Sequence, residues 1–361
     1  MINPESSFFN TTQFFHSQKY VLDCISSGYM GRIGKYVDAC TSFLSDMYNS
    51  KCLLVANGTV ALELALRAVG VKQNDFVLIP NISFVATVNS VLSVGAIPIF
   101  IDNIENDIFP DINSVEDLLK TQKPKVVLLA HIYGVPVPNM KEIKALCNKY
   151  NAILIEDNAQ SFGSYHDELN PVGSYGDIST ISFFSNKVIA CGQGGALIFN
   201  NESFYLKALS ISNHGRSGDD FSGFGGNFSF NNLSAALLLS MLENMNDILA
   251  YRNQIFETYI SNIERLNLNI TTYSIQSECA KWVLALKFNE NLNLNLIVNN
   301  LTKKGIACRL GMPFLPILPH INQMEHKYKG VRPDDVLLPI HTGLQEVDVV
   351  RILNFLKSEI Q

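Results

Sequence analysis

The sequence contains no hydrophobic run of the length that a membrane-spanning helix needs, and no block of basic residues. Its formal net charge is -6 at pH 7, so the chain offers no electrostatic footprint for nucleic acid. The amino-terminal stretch MINPESSFFNTTQFF lacks a basic segment followed by an apolar core, so it does not resemble a secretory signal. We therefore expect a cytoplasmic protein that binds neither membranes nor nucleic acid.

Cysteine is present but forms no pattern. The seven cysteines are scattered along the chain and include no Cys-x-x-Cys pair. This distribution is not that of a disulfide framework, so we expect reduced thiols in the core of a cytosolic protein and no metal site. Cys191 lies near Lys187 in the sequence, but no base is predicted beside it.

The length and composition indicate two domains. With 361 residues and 47% hydrophobic content, the chain can bury a large core. As far as residue 200, apolar runs alternate with helical segments of roughly ten residues, which is typical of a parallel sheet with helices on both faces. The predicted strands are 52–56, 76–79, one that ends at Asp102, 126–130, 152–155, 178–184 and 195–200.

A change of organisation is predicted near residue 245. Residues 231–266 have a helical pattern too long for one ordinary helix, and we predict a break between Asn244 and Asp247. This divides the chain into a large domain, 1–245, and a smaller C-terminal domain, 246–361. The smaller domain is predicted to contain strands near 268–273, 282–288 and 306–309 and helices near 293–304 and 345–357.

One stretch places an acid and a lysine at the same edge of the predicted sheet. The apolar run 152–155 ends in Glu156 and Asp157, and the run 178–184 leads into a loop that contains Lys187. Ligands of open α/β sheets bind outside the carboxyl ends of the strands. We therefore expect these side chains to face one site.

A lysine and an acid in this arrangement suit pyridoxal phosphate (PLP) chemistry. The Lys187 amine can form a Schiff base with the cofactor aldehyde, and the Asp157 carboxylate can keep the pyridine nitrogen protonated. Gln160 can donate a hydrogen bond to the phenolic oxygen of the ring, while Ser182 and the glycines after Lys187 suit a phosphate. On these residues alone, the alternative is a solvated surface lysine and an aspartate that caps a turn.

The turn Asn57-Gly58-Thr59 has two interpretations. It joins the strand 52–56 to the helical segment VALELALRAVG, and the first N–H groups of a helix point outward and can bind an anion. An ordinary N-cap by Asn57 or Thr59 is the alternative.

Three segments together resemble the DegT/DnrJ/StrS family of PLP-dependent sugar aminotransferases. They are ILIEDNAQSFGS, VGSYGDISTISFF and SNKVIACGQGGAL, and the resemblance runs from about Tyr20 to the end. It implies the aspartate-aminotransferase-like PLP fold type I, an α/β fold. In that fold a large domain has a mostly parallel sheet flanked by helices, and a smaller C-terminal domain is α+β.

The resemblance also implies a set of site residues and an assembly. Lys187 and Asp157 are the expected catalytic residues. The expected cofactor-binding residues are Gly58, Thr59, Phe84, Asp157, Gln160, Ser182, Lys187 and Asn227. In the family, the loop that corresponds to 216–230 reaches the neighbouring subunit, so Asn227 is expected to contact the cofactor phosphate there. A homodimer with shared active sites follows.

The implied reaction is transamination of a nucleotide sugar. An amino acid, with glutamate favoured, gives its nitrogen to the cofactor, and a keto-deoxy nucleotide sugar takes it, at C4 in preference to C3. The product would serve surface-glycan or natural-product biosynthesis. Two alternatives stay open. One is a PLP-dependent sugar dehydratase, whose known members have histidine in place of Lys187, and the other is a degenerate homologue that binds without turnover.

Several positions depart from the family pattern or are ambiguous. Gly31 stands where Ser or Thr is common, Gln193 where an acid is usual, and Ser229 where Arg is common. His131, in an H-x-Y-G turn, is interpreted as structural rather than as an acid–base catalyst. Arg309 lies where many members place substrate-facing residues, but on the sequence alone it is interpreted as a surface arginine.

Overall fold

The chain folds around two β-sheets. The computed structural model describes residues 17–221, 223–273, 279–288, 292–321 and 335–360, so the amino-terminal stretch examined for a secretory signal lies outside the described residues. The helices, in chain order, are α1 (Ser17–Ser27), α2 (Lys35–Tyr48), α3 (Gly58–Ala68), α4 (Val85–Ser93), α5 (Ile112–Gln122), α6 (Met140–Lys149), α7 (Glu202–Ser212), α8 (Asn232–Leu242), α9 (Met245–Arg265), α10 (Leu294–Lys303) and α11 (Glu346–Ile360). The strands are β1 (Lys51–Val55), β2 (Phe76–Pro80), β3 (Ile97–Ile101), β4 (Val126–Ala130), β5 (Ile153–Asp157), β6 (Tyr165–Asp167), β7 (Asn170–Pro171), β8 (Ile178–Ser182), β9 (Gly195–Phe199), β10 (Arg216–Ser217), β11 (Asp220–Phe221), β12 (Ile270–Thr272), β13 (Val283–Phe288), β14 (Arg309–Leu310) and β15 (Asp335–Pro339).

The larger sheet has seven strands in the order β1-β9-β8-β5-β4-β2-β3. Strands β3, β2, β4, β5 and β8 pair in parallel, whereas β9 pairs antiparallel with both β8 and β1. Its central strands are buried on both faces, which is why they occur in the sequence as continuous apolar runs such as VVLLA in β4. The predicted mostly parallel sheet is therefore confirmed.

Helices cover both faces of this sheet. Helices α3, α4 and α7 pack on one face, in a buried cluster that includes Leu62 and Val88. Helices α2, α5, α6 and α8 pack on the other face. Alternate residues of a strand enter opposite clusters, as Leu128 and Leu129 of β4 do. The carboxyl ends of the parallel strands are left to the loops that build the site.

The second sheet is antiparallel, with the order β12-β13-β15-β14, and it packs with α9, α10 and α11 around its own buried cluster. Strand β15, which pairs with both β13 and β14, is not predicted from the sequence. The strand predicted at 306–309 is wrong in its bounds. Ile306 N–H donates to the Leu301 carbonyl at the end of α10, so the chain becomes extended only at Arg309.

The break predicted in the helical stretch 231–266 is confirmed, because α8 ends at Leu242 and α9 begins at Met245. The division of the chain into domains at residue 245 stays a prediction. All seven cysteines are buried and free, as expected of core thiols. Over the described ranges, no helix combines the length and the apolar character needed to cross a lipid bilayer.

Candidate active site

The loops at the carboxyl ends of the parallel strands enclose a cavity of about 590 Å³. Strands β4, β5 and β8 end at it, and α3 and α4 begin beside it. Seven of the predicted site residues line this cavity: Gly58, Thr59, Phe84, Asp157, Gln160, Ser182 and Lys187. The structure thus brings them together at the edge where open α/β sheets bind their ligands.

Asp157 ends β5 at this cavity and is buried, with 7% of its surface exposed. Its Oδ1 accepts a hydrogen bond from the Ala159 N–H at 3.0 Å. Burial raises the pKa of Asp157, while the Ala159 N–H and the charge of Lys187 oppose the shift. Because Ala159 is bound through Oδ1, the Oδ2 atom is available to a ligand in the cavity.

Lys187 lies in the loop after β8, and its amine also faces the cavity. The Nζ atom lies 4.6 Å from the centroid of the Trp282 ring. Burial lowers the pKa of Lys187 to about 8, an effect that the charge of Asp157 opposes and that of Arg309 reinforces. A lowered pKa increases the fraction of neutral, nucleophilic amine near neutral pH.

The start of α3 forms a narrow site for an anion. Asn57 caps the helix, because its Oδ1 accepts a hydrogen bond from the Val60 N–H at 2.9 Å. The backbone N–H groups of Gly58 and Thr59 follow at the first turn, beside the cavity. A Cβ atom on Gly58 would lie 2.8 Å from the Ser182 Cβ, so glycine permits this close approach. Asn57 can therefore cap α3 while the N–H groups of Gly58 and Thr59 stay available to an anion.

Gln160 and Phe84 present two further groups to the cavity. The Oε1 atom of Gln160 accepts a hydrogen bond from the Tyr133 N–H at 2.8 Å, and its Nε2 lies 3.6 Å from Met312 Sδ. The Nε2 atom is therefore the side that can donate to a ligand. Phe84, where α4 begins, leaves 52% of its surface exposed, so a large aromatic face is open to a planar ligand.

Asn227 does not line this cavity. It lies in a separate concavity with Arg32, His214 and Ser229. The Ser229 hydroxyl donates to Asn227 Oδ1 at 2.7 Å, and Ser229 also bridges to Val55 at the end of β1. Within one chain, the structure does not bring Asn227 together with the other predicted site residues.

The groups around the cavity fit PLP. An amine, a carboxylate and a helix start with a nearby hydroxyl match the aldehyde, the ring nitrogen and the phosphate of that cofactor. The Asn186 Oδ1 atom, next to Lys187, is buried and has no hydrogen-bond partner among the described residues. A buried polar atom of this kind is typical of a site that a ligand completes.

Comparison with known proteins places the chain in a family. Residues 15–357 match the DegT/DnrJ/EryC1/StrS aminotransferase family. The chain belongs to that family. A curated relative, the GDP-perosamine synthase of Vibrio cholerae, is 30% identical over 366 residues, and the match covers 95% of this chain and 96% of the relative.

Solved structures show the same fold as this DegT-family chain. A DegT/DnrJ/EryC1/StrS aminotransferase from Brucella abortus has a TM-score of 0.86 at 21% identity, with 95% of each chain covered. The PLP form of a Streptococcus pneumoniae protein assigned as a sugar aminotransferase has a TM-score of 0.86 at 23% identity, again with 95% of each chain covered. The predicted family, the PLP fold type I, the aminotransferase class and the PLP cofactor are confirmed.

Trp282 and Met312 are among the residues that line this aminotransferase cavity but were not predicted as site residues. Trp282 is the single tryptophan of the chain, which is the one signal that could have drawn attention to it. Its indole N–H donates to the Asn186 carbonyl, and Arg252 donates to the Trp282 carbonyl, both at 2.7 Å. The interpretation of Arg309 as a surface residue is wrong, because Arg309 lines the cavity with its Cζ 5.3 Å from the Trp282 ring centroid.

His131 also borders the cavity, but its ring is fully engaged. Its Nδ1 accepts a hydrogen bond from the Val137 N–H at 2.9 Å, which places the ring proton on Nε2, 3.0 Å from Glu156 Oε2. Burial lowers the pKa of His131, and Glu156 opposes the shift. The Nε2 atom of His166 lies 3.3 Å from the same Glu156 oxygen. This network supports the interpretation of His131 as structural.

Of the three departures from the family pattern, Gln193 lines the cavity, whereas Gly31 and Ser229 do not. The carbonyl of Gly31 accepts a hydrogen bond from the Asn232 N–H at 2.6 Å, and Ser229 donates to Asn227. None of them disrupts the Lys187 and Asp157 arrangement.

Proposed function

We propose that this enzyme transfers an amino group from glutamate to a keto-deoxy nucleotide sugar, at C4 in preference to C3. We place the reaction in surface-glycan or natural-product biosynthesis in the cytoplasm. The observation that carries the proposal is the buried pair of Lys187 and Asp157 in one cavity at the sheet edge. The Vibrio cholerae relative, matched over almost its whole length, is named for a GDP-linked sugar and supports a nucleotide sugar as acceptor.

In this proposal Lys187 anchors the cofactor and moves protons. Its partly neutral amine would hold the cofactor through the aldehyde carbon. When it is not so engaged, Nζ would be the base that moves a proton at the reacting carbon of the substrate. PLP, when bound, would supply the electron sink. The Trp282 ring, 4.6 Å from Nζ, would pack against this amine.

Three side chains are assigned to the ring of the cofactor. The Oδ2 atom of Asp157 would accept a hydrogen bond from the protonated pyridine nitrogen and so keep that nitrogen positive. The Nε2 atom of Gln160, whose Oε1 is held by Tyr133, would donate to the phenolic oxygen. The exposed face of Phe84 would stack on the ring.

The phosphate is assigned to the start of α3. The N–H groups of Gly58 and Thr59 and the hydroxyl of Ser182 line the same part of the cavity wall, since Gly58 and Ser182 are nearly in contact. The partner subunit's Asn227 is proposed to complete this set. A residue that acts across an interface should lie outside the cavity of its own chain, and Asn227 does.

Exposed apolar side chains support a homodimer in which the sites are shared. Arg32 after α1, His214 after α7 and Asn227 share one concavity, so these segments are neighbours. They carry large apolar residues that are 41% or more exposed: Leu22, Ile25, Tyr29, Met30, Ile33, Leu206, Leu209, Phe221 and Phe224. Apolar surface of this kind marks an interaction site, and two-fold homodimers are the commonest assemblies.

An absorbance spectrum of the purified protein with PLP tests the proposal. The wild type should show the band of lysine-bound PLP, and added glutamate should discharge it. Lys187→Ala should show no such band, while Lys303→Ala, which removes an exposed lysine of α10, should behave as the wild type. A wild type without a band overturns the role of Lys187. A band that glutamate does not change overturns glutamate as the donor.

A further inference from the structure

The orientation of the Gln160 amide is fixed by a residue outside the cavity. Gln160 lines the cavity and is buried. The two ends of an amide have almost the same shape, so hydrogen bonds decide which end faces a ligand. At Gln160 the strong bond is the one from the Tyr133 N–H to Oε1, at 2.8 Å, because the Met312 Sδ atom near Nε2 is a weak acceptor. The Tyr133 N–H therefore makes Nε2 the end that can serve a ligand.

Tyr133 makes this contact from an unfavourable backbone conformation. Its φ of 61° and ψ of 9° lie in the left-handed region, where bulky residues are uncommon. The φ angle is the torsion between the N–H group and the carbon that carries the side chain, so it sets the direction of the N–H relative to the ring. Residues persist in this region only where the surrounding structure holds them. Tyr133 must therefore be held both at its N–H and at its ring.

The second sheet holds the ring of Tyr133. The hydroxyl donates to Asp335 Oδ2 at 2.8 Å and accepts a hydrogen bond from the Met312 N–H at 2.7 Å. Asp335 begins β15 and is buried, and a hydrogen bond to a carboxylate is strong when it is shielded from water. A chain of contacts thus runs from Asp335 through Tyr133 to Gln160. Of these three residues, Gln160 is the one that lines the cavity.

We propose that Asp335 and Tyr133 are positioning residues for the cofactor, which hold Gln160 so that its Nε2 donates to the phenolic oxygen of PLP. The inference rests on the proposed function, which assigns Nε2 to that oxygen. Without the hydroxyl anchor, the φ angle of Tyr133 can return to the ordinary region, and the N–H leaves Oε1. The amide can then turn its own oxygen toward the phenolic oxygen, which loses its hydrogen-bond donor. Asp335 thereby influences the cofactor without touching it.

The test measures the proton affinity of the lysine-bound cofactor in the PLP-loaded protein. The absorbance band changes when the linkage between Lys187 and the cofactor gains or loses a proton. The phenolic oxygen carries more negative charge in the deprotonated form, so a hydrogen bond to it favours that form. Gln160→Leu removes the donor and should raise the pH midpoint of the band, by an amount equivalent to about 10-fold tighter proton binding.

Tyr133→Phe keeps the ring, loses the hydroxyl and should raise the midpoint by a similar amount. Tyr273→Phe is the matched control, because the buried Tyr273 hydroxyl donates to the same Asp335 Oδ2 atom, at 3.1 Å, and Tyr273 makes no hydrogen bond to Gln160. Both variants should lower the urea midpoint of the PLP-free protein, but Tyr273→Phe should leave the midpoint of the band unchanged. Neither variant alters the charges that act on Lys187.

Two further variants test where the effect begins and how it reaches the cofactor. The double variant Tyr133→Phe/Gln160→Leu should have the midpoint of Gln160→Leu alone, because Tyr133 acts through Gln160. Asp335→Asn should raise the midpoint, since a neutral amide holds the Tyr133 hydroxyl less tightly than a carboxylate does. A direct effect of the lost charge would lower the midpoint instead. Asp335→Asn also replaces Tyr133→Phe in the test if the latter does not fold.

Four outcomes overturn the proposal. They are an unchanged midpoint in Tyr133→Phe, an equal shift in Tyr273→Phe, an unchanged or lowered midpoint in Asp335→Asn, and a double variant whose shift is the sum of the two single shifts. Failure of the Gln160 assignment is distinguishable, because Gln160→Leu then leaves the midpoint unchanged and the proposal falls with it. Failure of the proposed function is different again, since the wild-type band then does not respond to glutamate.

Discussion

The Lys187 amine and the Asp157 carboxylate carry opposite charges, and both groups are buried at the cavity. Burial lowers the pKa of Lys187 to about 8 and raises the pKa of Asp157, while each charge opposes the shift of the other. Desolvation therefore outweighs their mutual attraction in both groups. A neutral amine is what attack on an aldehyde requires, so this burial serves the chemistry.

The rate at which PLP attaches to Lys187 should therefore rise with pH through a midpoint at about 8, well below the ordinary lysine value of 10.5. Asp157→Asn should move the midpoint to lower pH, because it removes a negative charge that raises the pKa of Lys187. Stopped-flow absorbance at a series of pH values measures both midpoints. A wild-type midpoint at 10.5, or an upward shift in the variant, would contradict this reasoning.

Glu156 is a buried carboxylate whose charge is kept by hydrogen bonds. Burial alone would raise its pKa, but the bonds from His131 and His166 outweigh burial and hold the pKa below its ordinary value of 4.5. The pKa of His131 is also below its ordinary value of 6.5. Both groups bind protons more readily in the unfolded state. Their stabilising effect is therefore complete above these ordinary values and is lost as the pH falls, first for His131 and then for Glu156.

Glu156→Gln should lower the free energy of unfolding at neutral pH by about 3 kcal/mol, because an amide cannot accept all the donors around this position. The variant should then lose less further stability on acidification than the wild type, since one group that must be protonated is gone. Urea unfolding at several pH values measures both effects. Glu168→Gln, which changes an exposed carboxylate, is the control. If Glu156→Gln and the wild type lost the same free energy of unfolding on acidification, the proposed contribution of Glu156 to acid sensitivity would be refuted.

At the scale of the elements, α3 and α7 both begin with an asparagine cap, but only α3 begins at the cavity. Asn57 caps α3 through the Val60 N–H, and Asn201 caps α7 through the Ser203 N–H, both at 2.9 Å. Either Asn→Ala change should lower the free energy of unfolding by about 1 kcal/mol. Only Asn57→Ala should also weaken PLP binding, by about 5- to 10-fold, because it frays the proposed phosphate site. Fluorescence titration measures the PLP affinity of both variants. Equal affinities would show that the start of α3 does not bind the phosphate.

The elements of the larger sheet are predictable from the sequence because they are buried on both faces. Such strands form continuous apolar runs between turns, as β4 and β5 do. The site residues at their carboxyl ends are predictable for the same reason. Asp157 and Lys187 follow directly on recognisable strands, and parallel strands bring those ends to one edge.

The contribution of the second sheet is harder to predict. Strand β15 is defined by pairing with β13 and β14, which are distant in the sequence. Trp282 and Arg309 reach the cavity only because this sheet packs beside loops of the first one. The hydrogen bond between Trp282 and Asn186 joins residues 96 positions apart, and a local sequence pattern cannot predict such a contact.

At the scale of the whole molecule, Tyr133 connects the two sheets. Its hydroxyl donates to Asp335 Oδ2 at 2.8 Å and accepts from the Met312 N–H at 2.7 Å, while its own N–H donates to Gln160. Its φ of 61° lies in the left-handed region that non-glycine residues seldom adopt. The sheet that carries the Trp282 ring is thereby tied to the cavity of the first sheet.

The proposed dimer predicts a separation between cofactor binding and folding at Asn227. Because the hydrogen bond that its side chain accepts from Ser229 is exposed, Asn227→Ala should leave the urea midpoint of the PLP-free protein unchanged. It should weaken PLP retention by about 10-fold, since a hydrogen bond to the phosphate is lost across the interface. Dialysis followed by absorbance measures the retained PLP. Unchanged retention would exclude Asn227 from the phosphate site.

Mixed dimers test whether the sites are shared. One protomer carries Lys187→Ala and its partner carries Asn227→Ala. With Asn227 acting across the interface, the intact Lys187 of the second protomer meets the intact Asn227 of the first, so one site of each mixed dimer binds PLP as tightly as the wild type. If Asn227 acts within its own chain, or if the protein is a monomer, every site with an intact Lys187 contains alanine at position 227. Mixing then restores no tight PLP binding. Only sites that contain Lys187 contribute to the absorbance band. The PLP affinity of the mixed dimers can therefore be compared directly with that of the Asn227→Ala homodimer.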